Sequence, residues 1–148
     1  MNAPDFESAG WLTPEAKCLL KDANGHRRVA LQQCCLWHST GLIDRLDREL
    51  YPLLPNVYRA LRTQGIVIPG MDRLKGMYRY TWSKNERVMQ QLAPVADAFR
   101  DRDLDAVITG DTALAVAYYR DLGRRPIFRV EILIRPNQGS AAMALLRR

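Results

Sequence analysis

Residues 106–134 read AVITGDTALAVAYYRDLGRRPIFRVEILI, and this stretch decides the fold. Ala106-Val107-Ile108 is short and apolar and is followed by Gly110, the pattern of a buried strand ending in a tight turn. Asp111 or Thr112 then caps a helix that runs through Tyr119 on Ala113, Leu114, Val116 and Ala117, and Asp121-Leu122-Gly123 closes it. From Ile127 to Ile134, Phe128, Val130, Ile132 and Ile134 alternate with Ile127, Arg129, Glu131 and Leu133, the clearest strand in the chain. A helix between two strands predicts that they run parallel. Pro136-Asn137 ends the second strand, and Ala141 to Leu146 open a last helix.

Upstream of this unit every periodic segment is helical. Thr13-Pro14-Glu15 opens a helix over 13–22 with a cap, a proline and an acid in its first turn. Further helices follow over 26–38, 42–50 and 55–64, the last with Val57, Tyr58 and Leu61 inward and Gly65 past its end. The longest runs from Met71 to Arg100. At about 100° per residue, Leu74, Met77, Tyr78, Thr81, Trp82, Val88, Met89, Leu92, Val95, Ala96 and Phe99 share one broad face. Pro94 is placed to kink or split it. The predicted fold is α+β: a helical region over 1–103, then a small β-α-β-α unit over 104–148, together one compact domain.

Composition narrows the function classes. The 148 residues are 47% hydrophobic and 26% charged, which excludes a disordered or low-complexity chain. The net charge is +6, and of the 22 basic residues 18 are Arg. Arg presents a bidentate fork to phosphate and carboxylate, so the balance points to an anionic partner; genome composition explains an Arg-rich chain equally well. No stretch reaches the ~20 apolar residues of a membrane span, and the acidic start lacks the apolar core of a signal peptide. Three cysteines (Cys18, Cys34, Cys35) without a C-x-x-C spacing predict neither a disulfide framework nor a zinc ribbon, and a cytoplasmic address. Cys34, Cys35 and His38 are too few for a closed zinc site, and packing is the better reading of them.

The cations cluster. Arg73, Lys84 and Arg87 fall in a narrow arc of the long helix with Tyr80 among them, a stripe suited to a phosphate backbone or simply a solvated helix face. The last 30 residues hold seven Arg (Arg124, Arg125 and Arg129 among them) against Asp121 and Glu131. There is no nucleophile-base set, P-loop or G-x-G-x-x-G.

Three segments together, Val107 to Leu114, Tyr118 to Ile127 and Phe128 to Ile134, resemble the uncharacterised bacterial nucleotidyltransferase family of the polymerase-β-like superfamily. In that family a strand ends in Leu-Lys-Gly and a helix opens on Ala-Ala-Leu. A Tyr-x-Asp-x-Gly-x-Arg-Pro run and a strand carrying Asp-x-Asp-Leu-Leu-Val follow. Leu53-Leu54-Pro55, Tyr58-Arg59-Ala60-Leu61, Leu74 to Arg79 and Trp82 to Leu92 are similar to the family's helices. The resemblance implies phosphoryl transfer on two Mg²⁺ held by strand carboxylates. The chain departs from that pattern at the decisive positions. Arg129 stands where the first Asp belongs, Glu131 where the second belongs, and Thr109 replaces the Lys before the glycine. The third carboxylate is expected on a later strand, beyond Arg148.

The resemblance therefore implies a degenerate nucleotidyltransferase-like protein that binds a nucleotide, a nucleic acid or a partner protein without catalysis, with Glu131 a vestige of the catalytic set and no metal. Arg129 would neutralise a phosphate in the metal's place. Two alternatives are an active Mg²⁺-dependent enzyme completed by another chain, and a structural helical interaction module. The expected anion site comprises the backbone N–H groups of Gly110, Asp111 and Thr112 with Arg125 and Arg129; the other reading of this turn is a glycine for tightness and an Asp cap. Arg73, Lys84, Arg87 and Arg124 form the expected basic surface. An open strand edge favours a homo-oligomer or another protein partner.

Overall fold

The computed structural model describes residues 48–147. The helices expected over 13–22 and 26–38, most of that over 42–50, and every cysteine and histidine lie outside them. The chain divides into two compact units, residues 1–79 and 80–148, and the division falls within one long helix.

In the first unit a 3-10 turn, Arg48–Leu53, leads into α1, Leu54–Thr63, whose second residue is Pro55 with its φ already helical. Val57, Tyr58 and Leu61 are buried, as their spacing predicts. Gly65 ends the helix at φ +67°. The Ile66 N–H reaches back to Leu61 O at 3.0 Å and the Gly65 N–H to Arg62 O at 3.1 Å, which satisfies the last carbonyls of the helix. Ile66 and Ile68 thereby fold back onto Leu54, Val57, Tyr58, Leu61 and Leu74, with the Tyr58 and Tyr78 rings 5.3 Å apart.

Helix α2 spans Met71–Arg100, with the bounds the sequence predicts, and continues through Pro94. Its most buried residues, Leu74, Thr81, Asn85, Leu92 and Phe99, recur at helical spacing. Trp82, expected on that face, is exposed, because one residue's rotation from Thr81 carries it past the stripe. Leu104 N–H bonds Phe99 O at 3.0 Å, with Asp103 at φ +52° in the position a glycine usually fills.

In the second unit β1, Ala106–Thr109, pairs with β2, Glu131–Ile134, in the register Ala106↔Ile134 to Thr109↔Glu131. The fold is thus α+β, but the strands are antiparallel, not parallel. The reason is the path between them. Helix α3, Gly110–Ala113, continues in a π-helical turn, Leu114–Tyr118, and carries the chain away from the end of β1. Arg120 at φ +51° reverses it, and residues 119–130 return without regular structure to enter β2 opposite Thr109. Ile127 to Val130, expected in the strand, belong to this return leg. A 3-10 turn, Pro136–Gln138, and α4, Gly139–Leu146, complete the unit.

One side chain of α2 fixes the return leg. Asn85 is fully buried; its amide donates to Leu122 O at 2.7 Å and Arg125 O at 2.6 Å, and its carbonyl accepts from the Ile127 N–H at 2.9 Å. The segment has no strand partner among the described residues, and Asn85 supplies the bonds that a sheet otherwise would. Asn85→Ala strands these three backbone groups and is expected to lower stability by about 3–5 kcal/mol in urea denaturation. Asn85→Asp keeps the acceptor and loses both donors, so an effect equal to wild type in either variant contradicts the clamp.

Candidate functional site

The turn after β1 is set by Gly110. Its φ is +63°, and a Cβ there would lie 2.7 Å from Glu131 Oε2, so the glycine serves both the backbone and the carboxylate seated on it. Glu131 is brought there by its pairing with Thr109. Its other oxygen, Oε1, accepts a hydrogen bond from Arg129 Nε in an ion pair.

Neither Asp111 nor Thr112 caps α3. Thr109 holds the N-cap position, with no side-chain capping bond. The Asp111 carboxylate instead receives Arg125, whose Nη2 and Nε lie 2.8 and 3.1 Å from Oδ1, in a pair that is mostly shielded from water. A charge-assisted contact from two donors outweighs a single cap bond to a neutral N–H. Thr112 is buried and its hydroxyl oxygen has no partner among the described residues. The structure therefore joins Gly110, Glu131 and Arg129 in one contact and Asp111 and Arg125 in another. Each cation expected to meet a ligand here already meets a carboxylate, and the two pairs together carry no net charge.

The residues do not fit a divalent cation at this strand. Arg129 is a fixed positive charge, Glu131 is bound to it, and among the described residues no group of three His, Cys, Asp or Glu comes together.

The other expected cations lie elsewhere. Lys84 holds its ammonium 5.8 Å from the centre of the Phe128 ring, and the Arg124 guanidinium sits 4.9 Å from that of Tyr119, which packs edge-on against Tyr118 at 5.0 Å. Arg87 is exposed on α2, three residues beyond Lys84, and Arg73 is exposed on the part of α2 that belongs to the first unit. Neither Lys84 nor Arg87 has an ion-pair partner among the described residues. Sequence reading missed Asn85 and the outward Phe128. The first left a signal: a polar residue on the apolar stripe, four residues after Thr81 and seven before Leu92.

Set against protein-family models, curated proteins and solved structures, the chain matches none. No helix of the described residues is long and apolar enough to cross a membrane.

A side chain at Gly110 meets two obstacles that can be separated. Gly110→Ala is expected to cost about 1–2 kcal/mol for the left-handed backbone, and that part persists when Glu131 is also Ala. If the cost vanishes in the Glu131→Ala background, the carboxylate alone requires the glycine.

Proposed function

We propose that this chain is a nucleotidyltransferase-like binding module that takes up an anionic ligand in the cytoplasm without transferring a nucleotide. The observation that carries the reading is the Arg129–Glu131 ion pair seated on Gly110. In the family that residues 107–134 resemble, this strand presents carboxylates to metal ions. Here the remaining carboxylate is spent on the cation that stands beside it. Catalysis of phosphoryl transfer consists mainly of positioning and of metal-borne positive charge, and a neutral ion pair supplies neither.

Support for an anionic ligand comes from the charge balance. Three of the C-terminal arginines, Arg125, Arg129 and Arg135, are matched by Asp111, Glu131 and Asp105, whereas Lys84 and Arg87 are not matched among the described residues. With a net charge of +6, the unmatched cations leave a positive field over α2.

Incubation with Mg²⁺ or Mn²⁺ and a radiolabelled nucleoside triphosphate is expected to label neither the protein nor an added acceptor. Inorganic polyphosphate is expected to bind, more weakly as salt rises. Nucleotide transfer that disappears in Glu131→Gln contradicts the proposal.

A further inference from the structure

We infer that Tyr80, Lys84, Arg87 and Phe128 form a stacking surface for single-stranded nucleic acid. The inference rests on the anion-binding reading above and gives that ligand a class and a place.

The surface is built by two elements of the second unit. On α2, Tyr80, Lys84 and Arg87 stand at successive intervals of four and three residues, and such residues are neighbours on one helix face. The return leg brings Phe128 to that face. Ile127 is 1% exposed, with its N–H bound to Asn85, whereas Phe128 is 64% exposed. The leg thus turns Ile127 into the core and Phe128 to solvent. Lys84 then lies over the ring. Tyr80, 71% exposed, stands one helical turn before Lys84.

The chemistry of this group is specific. Two large aromatic faces in water are costly to leave uncovered, and here they stand by a lysine that has no carboxylate partner among the described residues. A duplex offers phosphates but keeps its bases stacked inward, and an acidic peptide offers charge with few flat faces. A single strand offers both: bases that stack on any aromatic ring, and phosphates that replace released counterions at Lys84 and Arg87. The clamp by Asn85 holds Phe128 in place before a ligand arrives, which lowers the ordering cost of binding.

The test is fluorescence anisotropy of the full chain with a labelled single-stranded 12-mer, in ribose and deoxyribose forms, competed by unlabelled duplex and by inorganic polyphosphate. The single strand is expected to bind and to resist both competitors at equal phosphate. Phe128→Ala and Tyr80→Ala are each expected to weaken it by about 5- to 150-fold, the range for loss of one stacked base. Phe128→Trp is expected to retain binding, and Lys84→Ala to flatten the logarithmic salt dependence by about 0.7. Unchanged thermal melting in the alanine variants establishes that the fold is intact. If polyphosphate competes equally and Phe128→Ala is without effect, the stacking surface is refuted while anion binding stands. If neither the strand nor polyphosphate binds, both are refuted.

Discussion

The buried side chain of Asn85 is the constraint on which the second unit depends. Twelve residues, 119–130, return from α3 to β2 without a strand or helix of their own, and irregular backbone can be buried only if its polar groups find partners. Asn85 meets three of them at once, at Leu122, Arg125 and Ile127. A hydrophobic residue at this place would continue the buried stripe of α2, yet would leave the return leg unheld. The antiparallel pairing of β1 with β2 follows, because only a held return brings the chain back to Thr109. So does the seat of Glu131 on Gly110.

Two kinds of arginine emerge on this frame. Arg125 and Arg129 work within the unit: the first ties the start of α3 to the return leg through Asp111, and the second occupies Glu131. The Arg125 pair is largely shielded and gains from its two donors. The Arg129 side chain is 80% exposed, so its pair contributes about 0–1 kcal/mol to stability, and its main consequence is to cancel the charge of Glu131. Two other cations lie against aromatic rings instead, Lys84 at Phe128 and Arg124 at Tyr119. Neutralising the turn and displaying charge on α2 are two outcomes of one backbone path.

Much of this fold was legible in the sequence. The long helix Met71–Arg100, the short α1 with its terminal glycine, the strand before Gly110 and the last helix all carry local signals: periodicity, a helix-ending Gly65, a positive-φ Gly110. Strand direction was not legible. A helix between two strands ordinarily implies a parallel crossover, and nothing local to Ile127-Phe128-Arg129-Val130 distinguishes a strand from an irregular leg whose partner is a side chain about 40 residues earlier. The ion pairs within the expected anion site were not legible for the same reason. Its five residues were read along the chain, whereas the pairings Asp111–Arg125 and Glu131–Arg129 are made across the turn that the chain closes.

Amide hydrogen exchange at Ile127 tests the central role of Asn85 most directly. Its N–H lies in irregular backbone and bonds to the Asn85 side chain, so protection there, lost in Asn85→Ala, reports the clamp. Exchange as slow as that of amides in the middle of α2 is the result this structure predicts. Exchange at the rate of an open chain, with α2 still protected, would contradict it.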